Sequence, residues 1–217
     1  MKPGIRTPVQ TRSRERVELI LRTARDLIGE KGIDAVSMRE IAQASGIQIG
    51  SLYQYFPGKN QLLLTIMNDY YDRLYEGTKS ILEPVRNVSE LEVAAETAFA
   101  QFIRFFQEDP ALANLWAGAR AIPELIIEDI RDTYRNAALF VKITLRCLPG
   151  LRESDVQPFA LHFAHTIGSV IRFAAEIDPN HSKAVLHESR VILSLRLQAL
   201  QELSKTRKSN KSRKLKT

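Results

Sequence analysis

Residues 37–59, SMREIAQASGIQIGSLYQYFPGK, restrict what this chain can fold into more than any other stretch. Each special residue in it answers one geometric need of two helices crossing at a tight turn. Ser-Met-Arg-Glu is a capping box that starts a helix at Ser37: the serine hydroxyl accepts from the Glu40 amide while the Glu40 carboxylate reaches back. Ala42 is small where this helix must approach the next. Gly46, four residues on, can take the positive φ that ends the helix and reverses the chain. Ile41, Ile47 and Leu52 form a wedge between the helices, which leaves Gln48, Ile49, Gly50, Ser51, Tyr53 and Gln54 facing outward. The second, short helix carries Leu52 and Phe56 inward. It stops at Phe56-Pro57-Gly58, where proline denies the preceding residue an easy α conformation.

Elsewhere apolar residues recur at helical spacing, and no run of alternating β-branched residues is bounded by tight-turn dipeptides. The expected fold is all-α, with about nine helices. A first helix over residues 13–30 carries Val17, Ile20, Leu21, Ala24, Leu27 and Ile28 on one face, with Gly32 as its stop. Lys59 opens a connecting helix over 59–82, and further helices are expected over 89–107, 109–121, 124–147, 154–177 and 182–203. Asp109-Pro110 is a strong start signal, a capping carboxylate before proline at the first helical position. The resulting organisation is a flexible basic arm (1–12), a helix-turn-helix domain (13–58), the connecting helix (59–82), a larger helical domain (83–204) and a disordered basic tail (205–217).

The formal charge of +6 is informative only by segment. Residues 1–60 hold ten Lys/Arg against six Asp/Glu, residues 61–204 fourteen against nineteen, and residues 205–217 seven against none. A polyanion would meet the two ends of the chain and be repelled by most of its body. No stretch approaches the roughly 18 uninterrupted apolar residues of a membrane span, and the first ten residues lack an apolar signal region, so a cytoplasmic location is expected.

Enzymatic chemistry finds no support. There is no nucleophile with an oriented base, no phosphate-binding glycine loop and no plausible pair of catalytic carboxylates. Cys147, the only cysteine, makes no intrachain disulfide. His162 and His165 stand three apart on one helix but lack a third ligand at suitable spacing, so no metal and no cofactor is expected.

The outward face of the short helix suits the major groove of DNA, where short side chains at the N-terminal turn let the backbone approach closely. Gly50 and Ser51 meet that requirement. Gln54 can bond an adenine edge, Ile49 can pack on a thymine methyl, and Arg39 can reach a guanine or a phosphate. Ser51, Tyr53 and Lys59 are better placed for phosphates, with Lys59 at a helix N-terminus whose free amides also favour an anion. Leu52, Tyr55 and Phe56 read as core packing. The basic arm, including Lys2, Arg6, Arg12, Arg14 and Arg16, is either a solvated end or a source of further phosphate or minor-groove contacts.

On these residues the chain resembles the TetR family of bacterial transcriptional regulators. The family signature appears as Leu52-Tyr53-Gln54-Tyr55-Phe56-Pro57-Gly58-Lys59, and the match runs from the first helix to about Leu64. Gln48 stands where a capping Ser or Thr is common, and Gly58 where a polar cap is usual. Each departure costs about a few tenths to one kcal/mol. The resemblance implies a dimer that binds a palindromic operator in double-stranded DNA, a small-molecule effector held by the later helices, and pairing of two subunits through the last two helices. The implied function is a repressor released from its operator by that effector. The alternative is a DNA-binding architectural or cell-division factor of the same fold, with a protein partner and no effector.

For the dimer face, Ala160, Ala164, Gly168, Ile171 and Ala175 form a stripe of mostly small residues, with Ile192 and Leu195 on the final helix as its complement. The competing reading packs these stripes within one subunit. Phe102, Phe106, Trp116 and Tyr134 are candidates to line an apolar effector pocket, with Arg120 or Arg172 to anchor an acidic group.

Overall fold

The structure of the chain, a computed structural model, describes residues 8–119 and 121–214, with side chains from Arg12 to Asn210. The described residues form nine α-helices: α1 (Pro8–Ala35), α2 (Met38–Ala44), α3 (Ile49–Tyr55), α4 (Lys59–Leu82), α5 (Val88–Glu108), α6 (Pro110–Ala119), α7 (Pro123–Cys147), α8 (Glu153–Glu176) and α9 (Pro179–Lys214). The all-α expectation is met. None of the described helices is long and apolar enough to cross a membrane.

Two compact units divide the chain. One runs up to Tyr70 and resumes over Asp109–Ile126; the other comprises Tyr71–Glu108 and the residues from Ile127 onward. Helix α4 gives its first half to one unit and its second half to the other.

In the first unit, Ile20, Ala24 and Ile28 of α1 are buried, as are Ile41 of α2, Leu52 of α3 and Leu62, Leu63, Ile66 and Met67 of α4. Helix α1 starts at Pro8, ahead of the expected Ser13, and Gly32 breaks it with φ 78° before one further turn. Part of the expected flexible arm is therefore helical; Lys2 and Arg6 lie outside the described residues. Helix α6 belongs to this unit rather than with the later helices. The reason is close packing on α1: a Cβ at Gly118 would collide with Ile33, and one at Gly29 would touch Ala111 at 3.4 Å. Asp109 caps α6 as expected, accepting from the Ala111 and Leu112 amides at 3.0 and 3.3 Å. It also takes the Tyr70 hydroxyl at 2.7 Å.

In the second unit, one cluster gathers Leu82, Leu91, Leu139, Ile143, Leu193 and Leu197, and another gathers Ala137, Val141, Leu148, Val156, Ala160 and Leu200. Helix α8 packs along α9, and α5 meets both. Helix α9 continues to Lys214, past the expected end at Leu203, so residues 205–214 are helical rather than disordered. No proline or glycine interrupts them. Arg207 also ties the extension to α8 through both oxygens of Asp155, with Nη2 to Oδ1 at 2.9 Å.

Candidate nucleic-acid interface

The turn between α2 and α3 is built as the spacing requires. Ser37 caps α2, accepting from the Glu40 amide at 3.2 Å. The reciprocal half of the capping box is absent, because the Glu40 carboxylate is taken by Lys31 at 2.5 Å. That ammonium lowers the Glu40 carboxyl below its ordinary range. Gly46 adopts φ 66°, a left-handed conformation that a side chain would strain. The amides of Gly46 and Ile47 donate back to the carbonyls of Gln43 and Ala42, at 3.1 and 3.0 Å, so the reversal leaves the end of α2 satisfied.

Within α3 only Leu52 is buried, at 0% exposure, whereas Ile49 and Tyr53 are 41% and 48% exposed. Ile41 is buried beside it, while Ile47 is half-buried. Gln48, Gly50 and Gln54 are exposed, Ser51 is half-buried, and Arg39 on α2 is exposed. Gln48 makes no side-chain cap, which the sequence anticipates; its carbonyl alone receives the Ser51 and Leu52 amides, at 2.9 and 3.1 Å. A Cβ at Gly50 would meet open space, so nothing within the chain requires glycine there. Lys59 opens α4 and is half-buried.

Phe102 and Phe106 on α5 meet edge to face, centroids 5.4 Å apart. Arg172 on α8 donates to Ser169 at 3.1 Å. Trp116, on α6, belongs to the first unit, while Phe102, Phe106, Tyr134 and Arg172 belong to the second. Tyr134 is 58% exposed, and Ile127 and Ile130 of α7 are exposed with it. Arg120 lies outside the described residues.

Sequence periodicity did not single out an aromatic row that crosses three helices. Phe99 of α5, Phe163 and Phe159 of α8, and Phe140 of α7 follow one another at centroid distances of 6.4, 5.4 and 6.3 Å. The guanidinium groups of Arg190 and Arg196 lie over Phe99 and Phe159 at 5.4 and 5.9 Å. The four-residue spacing of Phe159 and Phe163 was the available signal.

The small-residue stripe on α8 divides. Ala160, Gly168 and Ile171 are buried within the subunit and so cannot supply an outer face, whereas Ala164 is half-buried and Ala175 is exposed. Ala160 packs in one cluster with Ala137 and Val141 of α7 and Leu200 of α9, all of the same chain. The outward apolar residues are Phe173, Ile192 and Leu195, the last 57% exposed.

A buried helix-crossing wedge beneath an exposed short helix defines a helix-turn-helix protein. Residues 20–66 match the model for bacterial regulatory proteins of the tetR family, and residues 89–200 match the tetracyclin repressor-like C-terminal domain. The chain belongs to the TetR family of helix-turn-helix transcriptional regulators, a non-enzymatic family.

Among its relatives is the HTH-type transcriptional repressor KstR2 of Mycolicibacterium smegmatis, 30% identical over 117 residues, which are 50% of this chain and 56% of that protein. The repressor KstR of Rhodococcus jostii is 31% identical over 118 residues, 52% of this chain and 53% of that one. The chain thus spans about half the length of these two relatives. The uncharacterized regulator YuxN of Bacillus subtilis is 42% identical over 62 residues, 29% of this chain and 21% of that protein. The fold is shared with a TetR-family regulator from Streptomyces coelicolor, at TM-score 0.66 and 22% identity, covering 85% of this chain and 99% of that one.

Proposed function

We propose that the protein is a dimeric repressor that reads a palindromic operator through α3 and is released from it by a small-molecule effector. The observation that carries this reading is the contrast along α3, where Leu52 is buried while Ile49, Gly50, Tyr53 and Gln54 face solvent. Gln54 and Ile49 would read base edges, with Gln48 beside them. Gly50 and Ser51 would let the helix backbone approach, and Arg39, Tyr53 and Lys59 would hold phosphates. The exposed Arg12, Arg14 and Arg16 of α1 would add to the electrostatic footprint.

Repression is favoured over activation by the two relatives named as repressors. Pairing of subunits would use Phe173, Ala175, Ile192 and Leu195, with Ala164 at the margin, since these leave apolar surface outward. The effector would be met by Phe102, Phe106 and Arg172 in the second unit, with Trp116 and Arg120 as further candidates. Two recognition helices must lie about one DNA turn apart to read a palindrome, roughly 34–36 Å. A ligand that biases α4, which serves both units, would spoil that spacing. Selection from a random-sequence DNA pool at near-physiological salt tests the reading. It should return a palindromic consensus, and purely salt-sensitive, sequence-independent binding would favour the architectural alternative.

A further inference from the structure

Among the described residues, α7 leaves more large apolar side chains in solvent than any other helix: Ile126, Ile127, Ile130 and Tyr134. Its other side is spent on the core, through Ala137, Leu139, Val141 and Ile143. The outer side is a continuous stripe of Glu124, Ile127, Arg131, Tyr134, Ala138 and Lys142, spaced three or four residues apart, with Ile130 beside it. All of these are exposed. A lone helix gains nothing from an apolar row turned to water, and a contiguous apolar patch rimmed by charge marks an interaction surface. The charge reverses along the helix. Residues 123–132 hold four acids against Arg131, whereas residues 133–147 hold Arg135, Lys142 and Arg146 and no acid. Glu124 and Lys142 have no charge partner among the described residues, while Arg131 has its own in Glu128, at 2.5 Å.

We propose that this face of α7 pairs antiparallel with the same face of a second copy of the chain, a self-association surface separate from the α8–α9 residues assigned above to the dimer. The stripe is self-complementary about the level of Thr133. Glu124 and Lys142 stand nine residues to either side of it, about 13.5 Å at 1.5 Å per residue. A twofold axis at that level therefore sets Glu124 opposite Lys142 of the partner subunit, and by symmetry Lys142 opposite Glu124 of the partner subunit. Ile130, three residues before Thr133, then enters the gap between the partner's Tyr134 and the partner's Ala138. A parallel arrangement would align like charges. A partner without the same reversal of charge would match only one half of the helix. Together with pairing through α8 and α9, the product is a dimer of dimers.

Sedimentation velocity on the full chain, from micromolar to submillimolar concentration, tests the pairing. The wild type should pass from two-chain to four-chain species as concentration rises. Tyr134→Glu, at the centre of the stripe, should stop at two chains joined through α8 and α9, and Leu195→Glu at two chains joined through α7. Lys142→Glu should weaken the step to four chains by about fivefold or more, the factor that one unit-charge pair at about 4 Å gives in water. Glu124→Lys/Lys142→Glu should restore it, because the swap keeps opposite charges facing each other. If the two residues served only the dipole of their own helix, the swap would deepen the loss. The substituted side chains are all exposed, and circular dichroism checks that each variant stays helical. A wild type that reaches only two chains, with that step lost in Tyr134→Glu and kept in Leu195→Glu, would support the α7 pairing and remove the α8–α9 dimer instead. Tyr134→Glu indistinguishable from the wild type at every concentration, or a swap that recovers nothing lost by Lys142→Glu, would overturn the proposal.

Discussion

Asn114 of α6 donates its side-chain amide to the carbonyl of Ile28 on α1 at 2.9 Å, and to that of Gly29 at 3.1 Å. These carbonyls lie just ahead of the break at Gly32, where a helix runs out of its own donors. One side chain thus finishes α1 and fixes α6 in the unit that carries the helix-turn-helix. Asn114→Ala should lower the unfolding free energy by about 1–3 kcal/mol, the cost of leaving buried acceptors unmet. Denaturant unfolding followed by circular dichroism measures this, and an unchanged midpoint would show that water replaces the amide without loss.

Adjacent residues on α3 should separate folding from DNA binding. Leu52 fills the wedge completely, so Leu52→Ala should cost about 2–5 kcal/mol of stability. Tyr53 is half in solvent, and Tyr53→Ala should leave the unfolding midpoint within about 0.5 kcal/mol of wild type while weakening operator binding. A Tyr53→Ala protein that loses stability but retains its DNA affinity would make this residue core rather than contact.

A charge cluster, open to solvent at Asp72 and covered at Asp132, joins α4 to α7. Arg135 bonds Asp72 at 2.7 Å and Asp132 at 3.0 Å and lies 4.2 Å over the Tyr75 ring, while Tyr71 donates to Asp129 at 2.9 Å. Burial pushes the Asp132 carboxyl up from 3.8 to about 6, with the pull of Arg135 only partly opposing it. A carboxyl whose pKa rises on folding favours the protonated folded state. Its contribution therefore falls as pH climbs from about 4 to about 6 and stays low above that. Asp132→Asn should remove this decline, so that the stability difference between variant and wild type shifts in the variant's favour across that window. Urea midpoints at pH 4 and pH 7 measure it; a difference independent of pH would show that Asp132 is not held up by burial.

The sequence made the α2–α3 turn legible because local geometry alone dictates it: a positive-φ glycine and a buried leucine need no knowledge of the rest of the chain. Ile49, Tyr53 and Gln54 were placed outward by the same periodicity, and the structure leaves them exposed. The stripe of Ala160, Gly168 and Ile171 was ambiguous because small residues permit close approach equally well within a subunit or between two, and all three are buried within this one. The course of residues 205–214 was missed because low hydrophobicity suggests disorder, whereas the partner that orders them, Asp155, lies 52 residues before Arg207. The aromatic row from Phe99 to Phe140 depends on three helices meeting, which no single window of sequence contains.

The central claim, that α3 reads a specific sequence, is tested most directly by the affinity ratio between the selected palindrome and a scrambled duplex of equal length, measured on the full chain at several salt concentrations. A ratio of about 10³ or more at physiological salt is predicted, with Gln54→Ala costing about 1–3 kcal/mol on the palindrome and little on the scrambled duplex. Lys59→Ala should weaken both and reduce the salt slope by about one ion. A wild-type ratio near one, with affinity set by salt alone, would contradict the account.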